Sequence, residues 1–183
     1  MPTKHAELPP SSAERRKNCP GSVTLSKQFP QDTTSAYAEE GTHAHAVAEL
    51  KLRHANGEIN SGNYTRKLNR LKKGEYWCGE MDEATDYYRD AVLEILAGSG
   101  DGAELLIEQQ YRLDDYVPGC FGTSDAVVIG DDVINVIDLK YGKGVKVDAV
   151  GNSQLRLYGL GAAALFSGIY DFTKVRMTII QIA

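Results

Sequence analysis

The sequence has no long apolar run, and none of its hydrophobic segments approaches the roughly 20 residues that a membrane-spanning helix requires. It has only three cysteines, Cys19, Cys78 and Cys120, and no two of them form a C-x-x-C pair. Such a sparse, odd set speaks against a disulfide framework and a zinc ribbon, and it favours a reducing compartment. The first ten residues are polar and rich in proline, so they lack a signal-peptide core. We therefore expect a cytoplasmic protein with no membrane partner.

An overall basic excess is also missing. The chain carries 20 lysines and arginines against 25 aspartates and glutamates, a formal net charge of −5. This balance excludes a protein that coats nucleic acid, because neutralising phosphates requires lysine and arginine. The charge is uneven, however, because residues 1–73 hold 12 basic and 7 acidic side chains and residues 74–183 hold 8 and 18. The basic stretch 51–73 contains a single acidic residue; it can be a solvated segment, which charge alone favours, or a phosphate contact.

The composition is that of an ordinary globular domain, with 42% hydrophobic and 25% charged residues in a chain of 183. Apolar residues recur every three or four positions in some segments, which predicts helices, and alternate in others, which predicts strands. The predicted elements are helices over 37–54 and 80–97, strands over 104–112, 122–129 and 133–139, a helix over 148–167 and a strand over 175–182.

This order, αα-βββ-α-β, predicts an α/β fold (α+β-like) with a mixed central sheet flanked by helices. We expect residues 1–35 to be an irregular N-terminal segment and residues 36–183 to form a single domain. Residues 56–79 contain four glycines and lack a clear period, which favours a loop with at most one turn of helix. The last strand has no turn after it, so we expect the domain to be C-terminally incomplete.

Two aspartates occupy matching ends of the predicted hairpin. Asp125 begins one strand of the hairpin and Asp138 ends the partner strand. The midpoint between the two residues falls in the turn 130–132. Residues so placed are nearly opposite, with side chains on one face about 5 Å apart. Two such carboxylates repel each other unless a cation lies between them, and oxygen ligands favour Mg²⁺ or Mn²⁺.

Lys140 lies two residues after Asp138 and therefore on the same face of the strand. A lysine beside a carboxylate–metal pair can hold an attacking water or stabilise charge on a phosphoryl group. The plainer interpretation is a surface Asp–Lys pair near a strand end. Against it, Asp138 closes a largely apolar run, where an unpartnered carboxylate is costly.

These residues resemble the bipartite signature of the PD-(D/E)XK nucleases, in the RecB-like and phage-type exonuclease branch. Gly122-Thr-Ser-Asp125 matches the GxxD form of the first motif, and Asp138-Leu-Lys140 matches the second. Gln154-Leu-Arg-Leu-Tyr158 matches a QxxxY motif on the helix that follows, and Gly41-Thr-His-Ala-His45 matches an upstream GxxxH helix. Cys19-Pro-Gly-Ser22 resembles the start of phage-borne members, so the likeness spans residues 11–183.

The resemblance implies a restriction-endonuclease-like core and a Mg²⁺- or Mn²⁺-dependent, exonuclease-like activity on DNA. It implies His45, Asp125, Asp138 and the backbone carbonyl of Leu139 as metal ligands, and Lys140 as the residue that positions or activates the water. Gln154 and Tyr158 would orient the site and the DNA strand. Their i, i+4 spacing agrees with a shared helix face, although a packed tyrosine beside an exposed glutamine explains that spacing equally well.

The remaining expectations concern the DNA and the setting. Lys143 and Lys146 follow the strand that carries Lys140, and Arg66, Lys67 and Arg70 lie in the basic stretch; we expect all five to contact DNA. The resemblance implies a role in phage or prophage recombination or DNA processing, with a strand-annealing protein as a candidate partner.

Two other functions fit part of the sequence. A catalytically inactive nucleic-acid-binding module of the same fold is one, although the intact Asp125, Asp138 and Lys140 speak against it. The other is a zinc hydrolase built on His43 and His45, which would need a strand there, because side chains two apart on a helix diverge. Some members of the branch hold an iron–sulfur cluster with three cysteines after the core, and since this chain has no such triplet, we expect no cluster within it.

Overall fold

The computed structural model of the protein describes residues 6, 8–29, 35–142 and 144–182. A short 3₁₀ turn at Pro10–Ser12 precedes the helices. The helices are α1 (Ala13–Asn18), α2 (Ser22–Gln28), α3 (Ala36–Ala55), α4 (Ser61–Leu71), α5 (Gly79–Ala97) and α6 (Ser153–Phe166). The strands are β1 (Glu104–Arg112), β2 (Phe121–Ile129), β3 (Val133–Tyr141) and β4 (Lys174–Ile182).

The four strands form one mixed sheet in the order β1-β2-β3-β4. β1 pairs antiparallel with β2 and β2 antiparallel with β3, whereas β3 pairs parallel with β4 across the α6 crossover. A parallel pair requires such a crossover, which explains why a helix separates these two strands in the sequence. The prediction of an α/β fold with a mixed central sheet flanked by helices is confirmed.

Helices cover both faces of the sheet. On one face, α3 and α5 bury a core that includes Leu52, Tyr88 and Val92 against Ile137 and Leu139. On the other face, α6 buries Leu155, Tyr158, Ala162 and Phe166 against the alternate residues of the same strands. Because β3 is covered on both sides, its residues from Ile134 to Leu139 are all buried.

Helix α4 was not predicted, and the expectation of a loop over 56–79 is wrong for this part. The Asn60 side chain caps the helix by accepting a hydrogen bond from the Asn63 N–H (2.9 Å), and Tyr64, Leu68 and Leu71 recur at helical spacing. The apolar side of α4 packs against α3, but none of its residues is fully buried. Because the apolar stripe is short and the helix begins with polar residues and a glycine, the sequence pattern that would predict it is weak.

Two further differences lie at other element boundaries. In residues 1–35 the pattern predicts a short helix after Ser12 that ends before Cys19, and α1 confirms it. The expectation that the rest is irregular is wrong for α2, among the described residues. Helix α6 begins at Ser153 rather than at 148, because Gly151 adopts a left-handed φ of 75° and the Asn152 side chain caps the next turn. Across the described residues, no helix is long and apolar enough to cross a membrane.

Candidate metal centre

The two predicted aspartates lie where β2 and β3 separate. The paired register ends at Ala126 opposite Ile137, so Asp125 and Asp138 occupy the next matching positions. Instead of a ladder bond, the Oδ2 atom of Asp125 accepts a hydrogen bond from the Leu139 N–H at 2.7 Å. The backbone of Leu139 therefore lies beside Asp125, and its carbonyl stays a predicted ligand. The hairpin brings both carboxylates to one end of the sheet, as its midpoint indicates.

His45 reaches this point from α3. Its Nδ1 atom lies 2.9 Å from Asp125 Oδ1, although 80 residues separate the two in the chain. Burial lowers the pKa of His45, but the hydrogen bond and the charge of Asp125 outweigh it, so the pKa lies above its usual value. The structure thus joins the GxxxH helix to the GxxD strand.

Asp138 is connected to the other predicted residues. The Lys140 ammonium lies 2.6 Å from Asp138 Oδ2, and Gln154 Nε2 donates to Asp138 Oδ1 at 3.1 Å. Gln154 also contacts the Tyr158 hydroxyl at 3.3 Å and accepts a hydrogen bond from Lys140 at 3.4 Å. Gln154 therefore faces the end of β3, and Tyr158, its i+4 partner on α6, lies buried behind it.

Asp138 is itself buried, with 3% of its surface exposed, and desolvation raises its pKa. Its Oδ2 atom accepts no hydrogen bond, since its contact with Lys140 is an ion pair without hydrogen-bond geometry. The hydroxyl of Tyr88 on α5 is also buried and unpartnered, and the charges of Asp125, Asp138 and Glu108 act on it. Buried polar atoms without a hydrogen bond are rare, and the Tyr88 hydroxyl is one on which the charges of these carboxylates act.

Glu108 on β1 joins this cluster, and the sequence analysis missed it. Among the described non-glycine residues, only Glu108 has a positive φ, at 55°. The pairing of β1 with β2 skips Glu108 and Asp125 together, although the register on either side is the same. The side-chain alternation of β1 is broken there, because Ile107 and Tyr111 lie in cores on opposite faces despite their even spacing. Such strain is characteristic of functional sites.

The electrostatic environment of Glu108 reflects this position. Burial raises its pKa to about 7, with further contributions from the negative charges of Asp125 and Glu49. The only sequence signal was a charged residue in the middle of a half-buried strand. Alternation alone could not assign it to the site, because the break in alternation is itself what turns it there.

These side chains fit a hard divalent cation. Within the described residues no three His, Cys, Asp or Glu side chains form a ready-made cage, and His45 and Asp125 are hydrogen-bonded to each other. The donor set is nonetheless carboxylate-rich, with one imidazole and the Asp138 Oδ2 atom, whose partner is the Lys140 ammonium. Carboxylate oxygens suit Mg²⁺ and Mn²⁺, and His45 would exchange its hydrogen bond for the ion.

The glycine of the GxxD motif permits a close approach of the N-terminal segment. A Cβ atom on Gly122 would overlap the ring of Pro10 and press against Tyr158. Helix α1 is then tied to the start of α6 by a 2.6 Å hydrogen bond from Ser153 Oγ to Glu14. Pro10 and Glu14 of the N-terminal segment therefore pack against β2 and α6, which carry Asp125 and Gln154. Gly41 of the GxxxH motif has open space around it, so no close contact requires a glycine at this position.

The predicted DNA contacts have different placements. Arg66, Lys67 and Arg70 are exposed on α4, and Lys146 is exposed in the loop before α6. Lys143 lies outside the described residues. Three other cations of the basic stretch have structural partners: Lys51 pairs with Asp82 and Asp86, Arg53 with Glu49 and Glu58, and Lys72 with Asp82.

The two histidines of the alternative zinc site do not come together. Both lie on α3, where His45 faces Asp125 and His43 packs against Gly74 with its Nε2 atom buried and unpartnered. Cys19, Cys78 and Cys120 are free thiols on separate elements, and Cys120 is buried. In the described part of the chain, neither arrangement forms a soft-metal site.

A comparison with protein families gives a match over residues 5–182 to the family described as "Protein of unknown function (DUF2800)". The match covers all the elements that build the candidate centre. The chain therefore belongs to the DUF2800 family.

Proposed function

We propose that the protein is a metal-dependent DNA nuclease that hydrolyses phosphodiester bonds. One observation carries the proposal: His45, Asp125, Asp138, Lys140 and Gln154, from four separate elements, form one network at the end of β3. A surface Asp–Lys pair would not bring a distant histidine and a helix-borne glutamine to the same point. The motifs that resemble PD-(D/E)XK exonucleases support an exonuclease-like role in phage or prophage DNA processing.

Asp125, Asp138, His45 and the Leu139 carbonyl would hold the divalent cation, and the charges of Asp125 and His45 act on Glu108 beside them. When bound, Mg²⁺ or Mn²⁺ would supply positive charge to the scissile phosphate and to the attacking water. A bound cation would also offset the negative charge of the carboxylates, which would otherwise repel the phosphates of the DNA backbone.

The chain's own residues supply the rest of the chemistry. Lys140 is partly exposed and its ammonium lies against Asp138, where it can hold the nucleophilic water and offset charge on the phosphoryl oxygens. Asp138 and Gln154 fix the position of that ammonium through contacts of 2.6 and 3.4 Å. Tyr158 in turn holds Gln154, so the lysine is oriented by a packed helix rather than by solvent.

The test compares cleavage of linear DNA by the parent protein and by variants of the centre. We expect cleavage with Mg²⁺ and none with EDTA, and a loss of about 100-fold or more for Asp138→Ala and for Lys140→Ala. Asp131→Ala is the matched control, because Asp131 is exposed in the turn at the opposite end of the same hairpin. It should cleave like the parent.

Cleavage by Asp138→Ala at the parental rate would contradict the assignment. A parent that binds DNA but leaves it intact in Mg²⁺ and in Mn²⁺ would favour the inactive binding module. Circular dichroism of each variant separates a lost catalytic group from a lost fold.

A further inference from the structure

A cavity of about 470 Å³ lies between α3 and α4, outside the network at the end of β3. Its apolar lining comes from Ala46 and Leu50 on α3 and Leu71 on α4. Lys67 and Arg70 of α4 also line it, and both are exposed. The cavity therefore combines an aliphatic surface with two cationic side chains on one wall.

The charge of this wall is not neutralised by the protein. Lys67 and Arg70 have no carboxylate partner among the described residues, whereas the other basic residue in the cavity, Arg53, is bound to Glu49 and Glu58. Residues 59–74, which include the whole of α4, contain no aspartate or glutamate. Two unpaired cations beside an apolar surface form a site for a ligand that has both anionic and apolar parts.

The cavity and the candidate metal centre are neighbours along α3, although they share no residue. His45 binds Asp125, Ala46 lines the cavity, and Glu49, one turn further, lines the cavity and also acts on Glu108. A polymer whose phosphate lies at the centre would therefore have its neighbouring residues near α4. This placement, rather than charge alone, connects the basic helix with the site.

We propose that the α3–α4 cavity is a subsite for single-stranded DNA, which receives a nucleotide next to the scissile phosphate. The proposal rests on the proposed function and extends it by naming the strand state of the substrate. Lys67 and Arg70 bind the backbone phosphates, and the base lies on Ala46, Leu50 and Leu71. The volume suits one unstacked nucleotide, whereas an intact duplex is too wide to enter and could contact only the outer edge of α4.

The test measures binding of a fluorescent single strand and of a blunt hairpin duplex by anisotropy, with Mg²⁺ present and in the Lys140→Ala background, so that the centre keeps its cation while cleavage does not interfere. The variant Lys67→Ala/Arg70→Ala is compared with Lys174→Ala/Arg176→Ala, which removes two exposed cations at the opposite end of the sheet. We expect the first variant to weaken single-strand binding about 10-fold and duplex binding less than about 2-fold. Its salt dependence should fall by about 1.4 in log–log slope, since each single-strand phosphate contact contributes about 0.7.

The control pair should leave single-strand affinity unchanged, and Lys67→Arg should retain parental binding because it keeps the charge. An equal loss for single strand and duplex would overturn the proposal, as would an unchanged single-strand affinity or an absence of measurable binding. The outcomes are separable from the nuclease test. If the parent cleaves DNA and Lys67→Ala/Arg70→Ala leaves single-strand affinity unchanged, the subsite alone is refuted. If binding depends on Lys67 and Arg70 but the parent does not cleave DNA, the nuclease alone is refuted.

Discussion

Glu108 combines a left-handed backbone, partial burial and neighbouring negative charge. The burial and the charge make its ionisation unfavourable in the folded protein, which changes the free energy of unfolding with pH. Its pKa is raised from 4.5 to about 7, so the folded protein binds a proton there over a pH range in which the unfolded chain does not. Stability from this residue is therefore greatest below about pH 4.5 and falls as the pH rises from there to about 7. The cost of ionising Glu108 in the folded state disappears if the carboxyl group is replaced by an amide.

We predict that Glu108→Gln becomes more stable relative to the parent, by about 1 to 3 kcal/mol, between pH 5 and pH 8. The measurement is urea unfolding in EDTA at both pH values. Glu94→Gln, an exposed change on α5, is the control and should show no such shift. A stability difference between Glu108→Gln and the parent that is the same at both pH values would show that Glu108 titrates normally.

At the level of single residues, the sequence predicted what depends on regular geometry. Strand alternation places Lys140 with Asp138, hairpin symmetry places Asp125 opposite Asp138, and helical spacing places Gln154 with Tyr158. The contacts of Lys140 with Asp138 and of Gln154 with Tyr158 agree with these placements, and the register up to Ala126 opposite Ile137 agrees with that of the two aspartates. Glu108 could not be found in this way, because its direction depends on a break in regular geometry that no periodic pattern encodes.

At the level of elements, the basic stretch after α3 divides into two kinds of cation. Lys51 lies between α3 and α5, is 2% exposed, and contacts Asp82 Oδ1 at 2.6 Å and Asp86 Oδ1 at 2.9 Å. Lys67 and Arg70 project from α4 into solvent. Charge counting along the chain treats these residues alike, whereas packing assigns the first to the fold and the others to the surface.

Lys51→Ala should lower the free energy of unfolding by about 2 kcal/mol, because it leaves a cavity and removes the buried partner of Asp82 and Asp86, which then keep only Lys72 and Arg89. Urea denaturation measures the loss. At temperatures where Lys51→Ala is folded, its DNA affinity should equal that of the parent. Lys67→Ala is the matched lysine control and should stay within about 0.5 kcal/mol of parental stability. The assignment fails if Lys51→Ala is as stable as the parent and binds DNA poorly.

Helix α4 shows where element prediction from the sequence stops. Its apolar residues are only Tyr64, Leu68 and Leu71, none fully buried, so the packing energy that normally marks a helix is small. The strands and the long helices were predictable because each buries a periodic face in one of the two main cores.

For the whole molecule, the net charge of −5 says little about contact with DNA. A bound cation would reverse the local charge at the acidic residues of the candidate centre, Asp125, Asp138 and Glu108. Lys67 and Arg70, which have no carboxylate partner among the described residues, lie on α4. The α/β class and the succession of strands along the chain followed from the hydrophobic pattern. The join between α3 and the hairpin, which creates the centre, depends on tertiary packing over 80 residues, and only the motif resemblance indicated it.

The most direct test of the account is the fate of solvent oxygen during DNA cleavage. Linear DNA is incubated with the parent protein and Mg²⁺ in H₂¹⁸O, and the products of the first turnover are analysed by mass spectrometry. The account predicts one ¹⁸O atom in each newly formed terminal phosphate, because a water attacks the phosphorus, and no product with Asp138→Ala. Intact DNA with the folded parent protein, or product phosphates without ¹⁸O, would contradict phosphodiester hydrolysis at this centre.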